Sequence, residues 1–240
     1  MVGRFLLNLL FPPACRGCGE RFDLFVTPDP PALCPTCLAA WSEAVREREQ
    51  NKARPALLDE RVCAFYARVA YHPGEKQTVE RLLLRVKDHC DRPLFRFFAQ
   101  DMRLSLWQLL EQHGDPQSAC VVFVPRRPEA KGLAGHDQAE QLAYAIGRAL
   151  ELPVVAVLRH RRRTAAQKSL NAQSRVENAR AAYALTMGAA ALQGKTVLLV
   201  DDIATAGATL SAAAHLLLDA GAKQVICCTV GMTPHETHKL

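Results

Sequence analysis

The chain is poor in aromatic residues, which make up 6% of its 240 positions. No Gly-x-x-x-x-Gly-Lys-Ser/Thr sequence occurs, which excludes the triphosphate-holding loop of the P-loop nucleotidases. There is no internal repeat and no low-complexity tract, so solenoid and linker architectures are set aside. Long apolar runs are missing too. The stretch Arg4-Phe-Leu-Leu-Asn-Leu-Leu-Phe11 is too short to span a bilayer. Pro12-Pro13-Ala14-Cys15 after it is neither a small-residue cleavage site nor a good lipobox. The expectation is a short amphipathic helix packed on the domain or on a partner, in a cytoplasmic protein without a membrane span.

Charge of one sign is in mild excess, with 30 Lys and Arg against 24 Asp and Glu, a net +6. That balance suits a protein handling polyanions, without separating a phosphorylated small molecule from nucleic acid. An apolar fraction of 49% supplies a core, and the length suits one α/β domain with a small appendage.

The most informative stretch is Val197-Leu-Leu-Val-Asp-Asp-Ile-Ala-Thr-Ala-Gly-Ala-Thr209. Four apolar residues read as a strand buried on both faces. Two carboxylates follow at its C-terminal end, then a turn of small residues, then a helix start. Ligands of open α/β sheets bind there, outside the carboxyl ends of the strands. Asp201 and Asp202 can accept hydrogen bonds from vicinal hydroxyls. Ala204, Ala206, Gly207 and Ala208 let backbone N–H groups approach an anion, Thr205 and Thr209 add hydroxyls, and the helix adds the positive end of its dipole. Diol acceptors beside a phosphate cradle describe a site for a ribose 5-phosphate. A Walker B strand would require the missing P-loop, and a response-regulator acid pair would lie near the start of its domain.

Cys15-Arg-Gly-Cys18 and Cys34-Pro-Thr-Cys37 are two C-x-x-C pairs with fifteen residues between them, the spacing of a tetrathiolate zinc site. Gly17 and Gly19 allow a tight knuckle and Pro35 stiffens the other. Four thiolates fill a tetrahedral shell and leave no position for a catalytic water, so the zinc is structural. Redox chemistry is the weaker alternative, since neither pair sits in a βαβ setting. Cys63, Cys120, Cys227 and Cys228 read as buried small hydrophobes, Cys90 as part of a surface turn in Asp88-His89-Cys90-Asp91. His235 and His238 receive no role.

The expected organisation is a zinc module over residues 1–40, a polar helical connector over 41–58, and an α/β domain over 59–240. Val62 to Tyr71 alternates like a strand pair. Val79, Leu82, Leu83 and Val86 put one apolar face on a helix from Glu75 to Lys87, and Pro93 to Gln112 continues helically. Strands are expected at Val121–Val124, Val154–Leu158, Ala181–Thr186, Thr196–Val200 and Val225–Val230, with helices at Gln138–Leu150 and Thr209–Ala220. The alternation predicts a mostly parallel sheet flanked by helices with right-handed crossovers.

Two more segments carry candidates. Arg126 or Arg127, after the first core strand, can clamp phosphate oxygens bidentately; the bland reading is a solvated basic turn. The polar stretch from Arg159 through Arg161-Arg162-Arg163-Thr164 to Gln167, Arg175 and Asn178 reads as a long polar loop, of the kind that is usually either functional or disordered. Its arginines also suit a single-stranded nucleic-acid backbone, but the loop lacks the stacking aromatics such surfaces use.

The thirteen-residue motif resembles the phosphoribosyl pyrophosphate (PRPP) motif of the type I phosphoribosyltransferases at all its positions. With Leu-Leu-Phe-Pro-Pro before the first knuckle, Leu33-Cys-Pro-Thr-Cys-Leu38, Lys87, Val124-Pro125 and the Thr164, Gln167, Leu170, Arg175, Asn178 series, the chain resembles the ComF/GntX family over essentially its full length. The resemblance implies a type I phosphoribosyltransferase-like fold, PRPP with Mg²⁺ as ligand, and a link to natural competence and DNA uptake. Asp201 and Asp202 are then expected on the ribose hydroxyls and residues 204–209 on the 5-phosphate. Lys87, Arg126, Arg127, Arg163, Thr164, Gln167 and Arg175 are then expected on the pyrophosphate side or in the flexible loop that, by the same resemblance, closes over bound PRPP and excludes water. One segment departs from the family's Arg-Gly-Phe-Asn-Gln-Ala: this chain has Ala134-Gly135-His136-Asp137-Gln138-Ala139. Losing the arginine removes a charge-assisted contact worth roughly 1.5–3 kcal/mol, with Lys131 a partial substitute. Two functions remain open. One is a transferase for an unidentified acceptor. The other is a non-enzymatic PRPP-sensing or scaffold module that contacts single-stranded DNA or the uptake helicase.

Overall fold

The computed structural model describes residues 12–23, 29–74, 77–127, 136–161 and 181–234. The expectations for residues 4–11, Lys131, Ala134, Gly135, Arg163, Thr164, Gln167, Leu170, Arg175, Asn178, His235 and His238 lie outside them.

Helix α1 (Pro35–Gln50) begins with a proline after Cys34 and runs through the second knuckle, so one continuous helix crosses residue 40. It ends at Gln50, and the rest of the expected helical connector is non-helical. Strand β1 (Ala64–Ala70) is a single strand where the alternation suggested a pair, since Val62–Tyr71 contains no Gly, Pro or Asn on which to turn. Helices α2 (Gln77–Asp88) and α3 (Arg92–His113) follow. Then come β2 (Cys120–Phe123), α4 (Gln138–Leu150), β3 (Leu158–His160), β4 (Tyr183–Leu185), β5 (Thr196–Ala204), α5 (Ala208–Asp219) and β6 (Gln224–Met232).

The main sheet has the order β1-β6-β5-β2, all parallel. Its faces alternate with period two. Leu198, Val200, Ile226 and Cys228 pack with α2, α3 and α4, while Val197, Leu199, Val225 and Cys227 pack with α5. Burial on both sides explains why the central strands read as unbroken apolar runs. The expected strand at Val154–Leu158 shrinks to one parallel bridge, Val154 to Val121. The Val157 amide then turns back to the Val155 carbonyl, and β3 pairs antiparallel with β4 in a separate small sheet. A short apolar run does not say how many of its residues join the ladder.

The cysteine segment shares this core. Cys15, Leu33, Cys34, Cys37 and Trp41 belong to the same apolar cluster as α2, α3 and α4. Trp41 packs on Phe97 and Phe98, and its indole N–H donates to Asp101 at 2.8 Å. Asp101 also takes a forked pair of bonds from Arg68 of β1, at 2.7 and 2.8 Å. Among the described residues no helix is long and apolar enough to cross a membrane.

Candidate functional site

β5 outruns one of its neighbours. The ladder to β2 ends at Phe123 opposite Val200, but the ladder to β6 continues to Ala204 opposite Met232. Asp201 and Asp202 therefore stand on a ledge with one flank open. The chain leaving β2 stays close for one more bond, the Val124 amide to the Val200 carbonyl at 3.0 Å, and then turns away. The opening is a cleft of about 240 Å³ lined by Lys87, Arg126, Arg127, Asp137, Gln138, Tyr183, Asp201, Asp202 and Thr209, among others. Three cations thus face three carboxylates.

Each wall is tied to the next. Asp137 caps α4, accepting from the Glu140 amide at 3.3 Å, while its other oxygen accepts from the Arg126 amide at 2.7 Å. The carboxylate that departs from the family pattern thus fixes the loop after β2. Gln138 donates its side-chain amide to the Lys87 carbonyl at the end of α2. The same carbonyl receives the Arg126 guanidinium at 3.5 Å. On the ledge, Asp201 accepts from the Asp202 amide and Asp202 from the Ile203 amide, at 2.9 and 2.6 Å. Burial pushes the Asp201 carboxyl well above the usual range, and the neighbouring charges of Asp202 and Asp137 add to the rise. Burial also raises Asp202, with Lys87 and Arg126 pulling the other way. A group that brings positive charge relieves both.

Past the ledge, Thr205–Gly207 turn the chain into α5. Gly207 has φ +88°, and a Cβ there would lie 2.6 Å from Pro55, so both conformation and space require glycine. The Ala206 carbonyl accepts from the Leu57 amide at 2.8 Å, which fastens the segment after α1 to this turn. The amides at the start of α5 have no intrahelical acceptors, as at any helix N-terminus. Of residues 204–209, Thr209 lines the cleft itself.

The structure thus brings Lys87, Arg126, Arg127, Asp201, Asp202 and Thr209 together. Three further polar wall residues, Asp137, Gln138 and Tyr183, were not singled out as candidates in the sequence. Tyr183 of β4 looks like an ordinary strand aromatic; its hydroxyl is raised by burial and by Asp201, with Arg127 and Thr209 pulling the other way. Asp137 carried a signal, since Asp137-x-x-Glu140 ahead of an apolar periodicity is a helix start.

The four cysteine sulfurs lie within 4.8 Å of one another and form a cluster able to hold a metal ion. Cys18 and Cys34 sulfurs are 3.8 Å apart, matching the edge of about 3.8 Å in a tetrahedron of ~2.3 Å zinc–sulfur bonds. A Cβ on Gly17 would lie 2.7 Å from the Cys37 sulfur, so the knuckle closes only around glycine. Burial alone would raise the Cys15 thiol; backbone amides, including that of Cys34 at 3.2 Å, bring it down to about 6 instead. A thiolate that forms readily is a ready ligand. The first knuckle is pinned by Arg16, which donates to Asp91 at 3.2 Å; Arg85 reaches the same carboxylate at 2.6 Å. Asp91 also caps α3 through the Leu94 amide.

Residues 136–239 match the phosphoribosyl transferase domain family. Competence protein F of Haemophilus influenzae is 29% identical over 106 residues, which are 44% of this chain and 46% of that protein. The matched region thus spans about half the length of that relative. Among solved structures, the purine phosphoribosyltransferase of Pyrococcus horikoshii is 16% identical, with 57% of this chain and 84% of that one covered at a TM-score of 0.33. A protein from Thermus thermophilus is 17% identical, with 62% and 86% covered at 0.35. The chain thus carries a four-cysteine cluster ahead of a region similar to the phosphoribosyl transferase domain, and part of it is similar to Competence protein F.

Proposed function

We propose that the chain binds PRPP with Mg²⁺ and transfers its ribose 5-phosphate to an acceptor, releasing pyrophosphate. In this reading Asp201 and Asp202 accept hydrogen bonds from the ribose hydroxyls. Residues 204–209 hold the 5-phosphate through backbone amides and the Thr205 and Thr209 hydroxyls. Lys87, Arg126 and Arg127 face the pyrophosphate, and Arg163, Thr164, Gln167 and Arg175 belong to a loop that closes over it. The bond from the anomeric carbon to pyrophosphate breaks as the acceptor's nucleophilic atom bonds to that carbon and gives up its proton. Positive charge builds on the ribose ring meanwhile, and paired carboxylates nearby favour it. Mg²⁺, carried in on the ligand, supplies charge neutralisation to the phosphates. The four cysteines hold a structural zinc, and the protein works in the cytoplasm.

The observation that carries this reading is the ledge, where two adjacent carboxylates sit across one cleft from three cations. PRPP with Mg²⁺ at a hundredfold over its Kd is expected to stabilise the protein by about 2.7 kcal/mol, or roughly 5–10 °C in melting temperature. The Asp201→Asn/Asp202→Asn double variant should lose that response. An unchanged melting curve at millimolar PRPP would sink the proposal. Nucleobases and small amines, screened for pyrophosphate release with PRPP present, would identify the acceptor.

A second reading draws on the name of the Haemophilus influenzae relative, Competence protein F. Here the fold keeps its pocket as a sensor or scaffold and contacts single-stranded DNA or the uptake helicase. It predicts DNA binding with a steep salt dependence, weakened by neutralising Arg161 to Arg163. No binding at low salt would remove it.

A further inference from the structure

A second concavity, of about 660 Å³, lies between α3 and α4 and is larger than the cleft at the ledge. Arg92 and Arg96 stand one turn apart on α3, and Arg148 comes from the last turn of α4. All three are exposed, and Tyr144 beside them is 47% exposed. No carboxylate lines the concavity; its other polar side chains are the amides of Gln100 and Gln141.

The three guanidinium groups make no ion pair or hydrogen bond among the described residues, whereas Arg16, Arg61, Arg68 and Arg85 are each held by a carboxylate. Surfaces that serve only solubility intersperse the two signs of charge. Three unanswered cations on one concave wall repel one another, and Arg92 sits at the first position of α3, where the helix dipole disfavours a cation. The fold gains nothing from that placement, but an anion does. Planar guanidinium forks match phosphate oxygens, an exposed tyrosine ring offers a face to a base, and amides pair with base edges.

We propose that this groove binds a phosphate-bearing nucleoside, its phosphates on Arg92, Arg96 and Arg148 and its base against Tyr144. The site is separate from the ledge cleft and does not depend on how that cleft is read. The two are neighbours: Gln141 lies one turn along α4 from Gln138, which lines the cleft, and Arg92 follows Asp91 just beyond α2 and Lys87. The ligand is either a free nucleotide or the end of a nucleic-acid strand, since both present the same phosphates and base.

The test uses the full chain and fluorescence anisotropy of methylanthraniloyl-ADP at low salt, with ADP, inorganic pyrophosphate, a short oligothymidylate and polyglutamate as competitors. The probe should bind, and Arg96→Glu/Arg148→Glu should weaken it by at least about tenfold. The milder Arg96→Gln/Arg148→Gln should weaken it less. Both variants should melt like the parent and keep its response to PRPP, since these side chains are exposed and lie outside the ledge cleft. Tyr144→Ala should weaken ADP more than pyrophosphate. Asp201→Asn/Asp202→Asn should leave the probe bound. Stronger displacement by oligothymidylate than by ADP assigns the site to a strand, and the reverse assigns it to a free nucleotide. Four results would overturn the proposal: no binding; binding indifferent to the arginine changes; binding lost with the Asp201 and Asp202 pair; or polyglutamate competing as well as ADP. A Tyr144→Ala variant that treats ADP and pyrophosphate alike would overturn the base contact.

Discussion

Cys15 and Cys18 come from one short turn, Cys34 and Cys37 from the start of α1, and all four lie within 4.8 Å of one another, whereas Lys87, Arg126, Asp137, Tyr183 and Asp201 reach their cleft from five separate segments. The first cluster draws on two stretches close in sequence and is packed into the core of the domain. Helix α1 lays it on the core, and Asp91 pins its first knuckle. The second exists only once the sheet is complete, and it collects like charges that a stability-driven arrangement would keep apart. One region thus spends its polar groups on holding the fold together. The other gathers carboxylates and cations around an open cleft.

The largest expected effect breaks the first half of that comparison. Because the knuckle residues share a core with α2, α3 and α4, removing the metal proposed for the cluster should destabilise the whole chain. A loss of several kcal/mol is expected, seen as a single transition lowered by about 10 °C or more. Two transitions, with the main one unmoved by a chelator, would make the module independent.

A middle-sized effect sharpens it. Asp91→Ala removes a helix cap and the partner of two arginines, one of them substantially exposed, and should cost about 2–3 kcal/mol. Burial alone would raise this carboxyl, but the Arg85 hydrogen bond, the Arg16 charge and the Leu94 amide hold it below its ordinary 3.8. The stability it contributes is therefore present above that value and lost as pH falls through the lowered one. Denaturation followed against pH should show the parent losing this advantage in acid and the variant having none to lose.

The smallest effect has the opposite sign. The folded-state carboxyl of Asp201 keeps its proton to higher pH than the unfolded chain does. Stability linked to it is complete below the ordinary 3.8 and is lost as pH rises through the raised value. At neutral pH Asp201→Asn should therefore stabilise the ligand-free protein by about 1 kcal/mol, a gain of roughly 2–4 °C, while impairing PRPP binding. A melting temperature that falls in the variant would show that burying the Asp201 charge does not cost the ligand-free fold stability.

The sequence revealed most where the relevant residues are contiguous. The strand, acid pair, small-residue turn and helix of β5–α5 lie in one stretch, and so do the two knuckles, so spacing alone exposed both. Lys87 and Arg126 were legible as charged residues closing apolar elements. Tyr183 was not, because a strand tyrosine that packs and one that faces a cleft have the same periodicity. Asp91 sat in what reads as a surface turn, and nothing local reveals that its partner is Arg16, far away in the chain. Val154–Leu158 looked like a fifth strand because apolar runs report burial and not ladder membership.

The bond from Leu57 to Ala206, with Pro55 against Gly207, has a practical consequence for anyone trimming the protein. The stretch between α1 and β1 acts as a buttress for the hairpin-tight corner ahead of α5. Excising the first fifty-odd residues to obtain a minimal domain would strip that corner of its backing. The shortened protein would then be a poor guide to what the intact one binds.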